Sequence, residues 1–134
     1  MHRPLHPLHA VLLAGALPLV LGVLLSDIAY STSYEVQWKN FASWLLVGAL
    51  MCSGLALLWA LIELLRGPAR TVRYALYAFL LLTAWVLGFI DALVHAGDAW
   101  ASMPTGLILS ASIVLLAVAA AWVALSNSHA REPE

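Results

Sequence analysis

Six ionisable side chains stand inside or at the edges of long apolar runs, where charge is costly and usually has a partner. Two of them, Asp91 and His95, are four residues apart and therefore share one face of a helix. Histidine and carboxylate groups bind Zn, Fe and Mn, and histidine exchanges protons near neutral pH. We name His6, His9 and Glu63 the inner set, and Asp27, Asp91 and His95 the outer set.

Four apolar runs must position these side chains. Residues 8–26, 41–62, 74–90 and 99–128 contain no Asp, Glu, Lys or Arg. A bilayer core about 30 Å thick is spanned by about 20 apolar residues in a helix. Hydrophobic residues make up 63% of the chain and charged residues 10%, against about 45–50% and about 25% in soluble proteins. The sequence predicts an all-α fold, a four-transmembrane-helix bundle whose solvent is the lipid bilayer.

The residues between the apolar runs predict where the helices begin and end. We expect helices over about 7–29, 41–65, 71–95 and 103–126, with an external loop at about 30–40. Asn40 and Thr71 are expected to cap the second and third helices, and Gly97 to end the third. Residues 1–134 form a single integral membrane domain that closes with a polar tail, 127–134.

The basic residues predict the orientation of the bundle. With four spans, five of the six lie on one side: Arg3, Arg66, Arg70, Arg73 and Arg131. The other side carries Lys39. By the positive-inside rule, the N and C termini are cytoplasmic in a multi-pass protein of the inner membrane. The formal net charge of -1 gives no basic field for nucleic acid. The inner set then lies near the cytoplasmic face and the outer set near the external face.

Each set has a structural interpretation and a functional one. His6 and His9 either sit among lipid headgroups, with Glu63 paired to the 66–73 loop, or form a metal or proton site. At the outer end, Asp91 and His95 either form a local ion pair, with Asp27 bonded to a tyrosine or tryptophan, or the three residues share one coupled site. No HExxH or equivalent ligand spacing is present, so we expect no cofactor and keep metal and haem as alternatives.

Depth decides whether one chain could clamp a haem between two histidines. His9 and His95 fall at opposite faces of the membrane, separated by about 30 Å. A bis-histidine haem needs both ligands at similar depth. Haem could then be bound only by His6 together with His9, or between the chains of a symmetric dimer.

The N-terminal stretch Pro4-Leu5-His6-Pro7-Leu8-His9-Ala10, followed by Leu17-Pro18-Leu19, Gly22 and Asp27, carries a resemblance. It resembles the opening of a bacterial membrane family called domain of unknown function twenty-two thirty-one. The family typically begins His-Pro-Leu-His-Pro and closes a proline-kinked first helix with an Asp. Glu63 falls where the family often has an acid. This chain departs in having Ala10 for the second proline and Arg73-Tyr74 where a histidine often stands.

The resemblance implies four helices over the whole chain. It also implies proximity to membrane electron transfer, because relatives are fused to Rieske or c-type cytochrome modules. We expect no enzyme, but a non-catalytic accessory or scaffold protein of a membrane redox or respiratory system. Its partners would be membrane redox proteins or a second copy of the chain. The alternatives are a metal- or haem-binding redox protein, and an oligomeric transporter or proton conduit.

Overall fold

The computed structural model describes residues 5–67, 71–97 and 102–126, and no strand occurs among them. Four helices follow one another: α1 (Pro7–Ser33), α2 (Val36–Arg66), α3 (Val72–Ala96) and α4 (Thr105–Leu125). They have 27, 31, 25 and 21 residues and are apolar enough to cross a membrane. The predicted all-α, four-helix class is therefore confirmed. The predicted polar tail, 127–134, lies outside the described residues.

The loop predicted at about 30–40 is wrong in extent, because only Tyr34 and Glu35 separate α1 from α2. The segment contains no proline or glycine to break a helix. Hydroxyl groups in the last turn of α1 donate to carbonyl oxygens of the preceding turn at 2.6–3.1 Å, from Ser31, Thr32 and Ser33. Such back-bonding satisfies the hydroxyl groups within their own helix, so these polar residues do not require a loop. Tyr34 ends α1 in the left-handed region, at φ 56°.

Of the three helix ends predicted from capping residues, two are confirmed and one is wrong. Thr71 caps α3, because its hydroxyl accepts a hydrogen bond from the Tyr74 amide at 3.1 Å, and Gly97 ends that helix. Asn40 lies inside α2, whose first turn begins five residues earlier than expected, after Glu35. Asn40 is therefore not a cap: a sequence without breakers lets the longer helix form.

The bundle is four-sided, with each helix packed on the next in the chain and α4 packed back on α1. The two-residue connection between α1 and α2 makes these neighbours antiparallel. α1 and α3 therefore run in the same direction across the diagonal. We call the end where α1 begins the inner end, and the end where α1 finishes the outer end.

α1 and α3 bury matching seams. Along α1 the buried positions include His9, Leu13, Ala16, Val20, Val23 and Asp27. Along α3 they include Tyr77, Leu81, Ala84, Gly88, Asp91 and His95. Both seams step alternately by four and three residues, the repeat of left-handed helix packing. The seams are apolar or small in the middle and polar at both ends, so polar side chains meet across the diagonal at two depths.

Small side chains let the helices approach closely between those ends. Seven alanines are among the most buried residues of the core: Ala16, Ala42, Ala49, Ala56, Ala60, Ala78 and Ala120. In lipid, helix association depends on close van der Waals contact, since apolar side chains are as well solvated outside as inside. The core therefore fixes the spacing at which the polar ends face each other.

Candidate functional site

The outer set forms one buried cluster across the bundle diagonal. His95 Nε2 lies 2.8 Å from Asp27 Oδ1, which joins the last turn of α3 to α1. His95 Nδ1 lies 2.9 Å from the backbone oxygen of Asp91 and 3.0 Å from Asp91 Oδ1. Both aspartates are 0% exposed and His95 is 4% exposed. The imidazole is therefore held between two carboxylates that water does not reach.

The carboxylates of this cluster have spare acceptor capacity. Asp27 Oδ2 and Asp91 Oδ2 are buried and have no hydrogen-bond partner among the described residues, and Asp91 Oδ1 has the 3.0 Å contact with His95 Nδ1 but no hydrogen bond. Buried polar atoms in folded proteins are nearly always paired. Each of the three residues also offers one ligand atom such that the three atoms lie within 4.8 Å of one another. Carboxylate oxygens near a histidine nitrogen are donor types that suit a divalent cation, which makes the cluster a candidate metal site.

Gly106, a glycine of α4, packs against the cluster formed by α1 and α3. A Cβ atom added at Gly106 would lie 3.1 Å from His95 Cε1 and 3.7 Å from Asp91 Oδ1. Any side chain here would press on the imidazole, so glycine permits the close approach of α4. Gly106 is the second residue of α4. The positive end of that helix dipole therefore lies beside the Asp91 carboxylate, where it favours negative charge.

A second polar contact joins the same two helices at the inner end. His9 Nε2 lies 2.6 Å from the hydroxyl oxygen of Tyr77, and His9 is 0% exposed. Its other ring nitrogen, Nδ1, has no partner among the described residues. His9 is therefore part of the packed bundle and does not lie among headgroups. The Trp59 ring stands close to it, with centroids 5.9 Å apart.

The remaining inner residues are engaged in other contacts. Both carboxylate oxygens of Glu63 accept hydrogen bonds at 2.8 Å, one from Trp59 Nε1 and one from the Tyr74 hydroxyl. His6 caps α1, because its Nδ1 accepts from the Leu8 amide at 3.2 Å. The His6 ring also packs on Trp59, with centroids 4.9 Å apart. Glu63 thus ties α2 to α3, and Trp59 stands between Glu63 and the two histidines.

The two predicted sets therefore differ in how their side chains are arranged. Within the described part of the chain, the outer set is the group of three His, Cys, Asp or Glu residues whose ligand atoms converge. The inner set instead surrounds the Trp59 ring, and both carboxylate oxygens of its Glu63 already accept a hydrogen bond. Asp91 and His95 do form the close pair expected of residues four apart, and Asp27 joins that pair.

Sequence reasoning missed the partners that are not charged. Tyr77, Trp59 and Tyr74 supply the inner contacts, and Gly106 supplies the close approach at the outer end. A signal for Tyr77 was present, because it stands two heptads before Asp91 on the α3 seam. Nothing in the spacing of Trp59 or Gly106 marked them out.

The separation of the two ends bears on haem binding. The His9–Tyr77 and Asp27–His95 contacts each join residues 68 apart in the chain. They are separated by about 18 residues along each helix, or about 27 Å at 1.5 Å per residue. The geometry agrees with the expectation that a single chain cannot place His9 and His95 on one haem iron.

A family model described as "Predicted membrane protein (DUF2231)" matches residues 5–126 of this chain. The chain therefore belongs to this family, which confirms the resemblance of its N-terminal stretch. With four candidate spans, it is a multi-pass membrane protein. No curated protein and no solved structure matches the chain.

Proposed function

We propose that this member of the DUF2231 family is a non-catalytic protein of the bacterial inner membrane that binds a divalent transition-metal ion in the outer cluster. The observation that carries the proposal is the set of unpartnered carboxylate oxygens of Asp27 and Asp91 beside His95. Two buried carboxylates that each keep an oxygen without a hydrogen bond are expensive inside a membrane. A bound cation would pair them.

The donor types favour first-row transition metals. Asp27 and Asp91 contact opposite nitrogens of the imidazole, so a bound ion would require one carboxylate to rotate toward the nitrogen that the other contacts. One imidazole nitrogen and two carboxylates are then a ligand set for Zn²⁺, Mn²⁺ or Fe²⁺. A divalent ion would also balance the charge of the two carboxylates, which a monovalent ion would not. The site draws on α1 and α3, so a bound ion would link the diagonal helices of the bundle.

A proton occupies part of this site when no metal is bound. His95 Nε2 and Asp27 Oδ1 are 2.8 Å apart, a distance at which one of them must donate a proton to the other. Metal ligation by that nitrogen requires its deprotonation, so binding displaces this proton. The proposal therefore includes a proton release of about one per ion.

The charge distribution supports an external position for the site. Arg66 and Arg73 lie at the inner end of the bundle, and Lys39 lies at the outer end with its Nζ donating to the Gly97 carbonyl at 2.7 Å. Under the positive-inside rule the inner end is cytoplasmic and the outer cluster faces the periplasm. An accessory role beside a membrane redox or respiratory system stays a prediction, supported by the resemblance.

Metal titration of the purified protein tests the proposal. Protein in detergent is stripped with a chelator and titrated with Zn²⁺ or Mn²⁺ by calorimetry, in two buffers of different ionisation enthalpy. We expect one ion per chain, with proton release of about one per ion. His95→Gln should abolish binding, since it removes the nitrogen ligand.

His9→Gln is the matched control, because His9 is also a buried histidine bonded across the diagonal, at the other end. It should bind the ion like the wild type. Binding that is lost equally in both variants would point to a general effect on folding, and binding kept by His95→Gln would place the ion elsewhere. No binding by the wild type would refute the proposal.

A further inference from the structure

A cavity of about 330 Å³ opens between the end of α1 and the start of α4. Tyr34 stands at its outer edge and is 58% exposed. The other lining residues are Tyr30 and Ser31 of α1, and Met103, Pro104 and Leu107 at the start of α4. The cavity therefore lies at the outer end of the bundle, the end that contains the outer cluster.

Two lining residues are also neighbours of the cluster. Tyr30 follows Asp27 by three residues, so it lies one turn further along the same buried face of α1. Met103 Cε lies 3.5 Å from the Cβ position of Gly106, and His95 Cε1 lies 3.1 Å from that same position. The Met103 methyl group and the imidazole thus both pack near Gly106. Met103 therefore lines the cavity and also lies near the cluster.

We infer that this cavity is the port through which a hydrated divalent cation reaches the outer cluster, and that the Met103 side chain separates the two. The inference rests on the proposed function. A cation with six waters needs about 180 Å³ at about 30 Å³ per water, and the cavity is larger than this. Methionine suits a gate, because its unbranched side chain changes rotamer easily and its thioether is a soft ligand for a passing metal.

A thiol adduct at the cavity wall tests the port. Cys52 is the one cysteine of the chain, so Ser31→Cys is made in a Cys52→Ala background and modified with a neutral maleimide. Zn²⁺ uptake and release are then followed by stopped flow with a chromogenic chelator. We expect both rates to fall about tenfold with little change in the equilibrium constant, because an obstacle in the path slows both directions alike.

Thr32→Cys with the same adduct is the control. Thr32 is the next residue and, like Ser31, donates its hydroxyl to the Ile28 carbonyl, but it does not line the cavity. Its adduct should leave both rates within about twofold of the unmodified protein. Equal slowing at both positions, or none at Ser31, would overturn the port while leaving metal binding intact. If the wild type binds no metal at all, both the port and the proposed function fail.

Substitution of the gate supplies a second test with a different chemical change. Met103→Ala shortens the side chain that borders the cluster and should raise both rates, whereas Met103→Leu keeps a similar volume and should raise them less. The stoichiometry of one ion per chain should be unchanged in both variants. Rates that are the same in Met103→Ala and the wild type would show that this side chain does not separate the cavity from the cluster.

Discussion

Asp27 and Asp91 contact the same imidazole, yet their removal should have unequal effects on stability in the absence of metal. Asp27→Ala takes away the hydrogen-bond partner of His95 Nε2 and leaves that buried nitrogen unpaired. Breaking a buried pair from one side costs about 3 kcal/mol or more. Asp91→Ala leaves His95 Nδ1 its backbone acceptor at 2.9 Å, since alanine has the same carbonyl. It also deletes a carboxylate whose oxygens make no hydrogen bond, one of which lies 3.0 Å from His95 Nδ1. We therefore expect Asp91→Ala to lie within about 1 kcal/mol of the wild type.

The two substitutions should also be coupled. Once Asp27 is absent, the Asp91 carboxylate at 3.0 Å becomes the remaining carboxylate beside His95. Its removal should therefore cost more in that background than in the wild type. Residues that share a partner typically couple by about 0.5–3 kcal/mol. The expected double-mutant cycle is non-additive in this direction.

Reversible unfolding in mixed micelles, by titration with sodium dodecyl sulfate in the presence of a chelator, measures these free energies of unfolding. Ser26→Ala is the control, because Ser26 is buried beside Asp27 but donates only within its own helix, to the Gly22 carbonyl. It should change stability by less than about 0.5 kcal/mol. A loss for Asp91→Ala equal to that for Asp27→Ala, or an additive double mutant, would refute this description of the cluster.

Three further predictions concern the rest of the bundle. Tyr77→Phe removes the hydroxyl bonded to His9 and should lower the free energy of unfolding by about 1 kcal/mol, as interhelical hydrogen bonds in membranes do; an unchanged unfolding midpoint would mean that this contact contributes nothing. Lys39→Met keeps the apolar stem but loses the ammonium group that bonds Gly97, so unfolding should become easier by about 2 kcal/mol, while metal stoichiometry stays at one ion per chain; loss of metal binding would contradict the second part. Ser33→Cys should react with an impermeant thiol reagent in intact cells, because the positive-inside rule predicts that the outer end is external; reaction only after permeabilisation would reverse the orientation.

The number of spans could be read from the sequence because bilayer thickness sets helix length and charged residues mark the gaps. The same reasoning located Thr71 and Gly97 as ends of α3, since hydroxyl caps and glycines act locally. It failed at 30–40, where polar residues were interpreted as a loop. Serine and threonine can satisfy their hydroxyls against their own helix, so polarity alone does not end a helix there.

The candidate site could be predicted from the sequence only in part, for a different reason. Residues four apart on a helix are neighbours in any fold, so the contact of Asp91 with His95 followed from spacing alone. The contact of Asp27 with His95 depends on α1 and α3 standing diagonally opposite at one register. In a membrane both the lipid-facing and the buried sides of a helix are apolar, so hydrophobic periodicity does not show which side faces the bundle.

By itself, then, the sequence determined four apolar helices, their approximate ends and the depth of each ionisable side chain. Tertiary structure decided which of those side chains meet. It placed Asp27 and Asp91 on either side of the His95 imidazole, and it gathered the inner set around Trp59. The physical reason is that depth is fixed by position along a helix, whereas contact depends on the rotation and register of packed helices. Those are set by small interface residues spread over the whole chain.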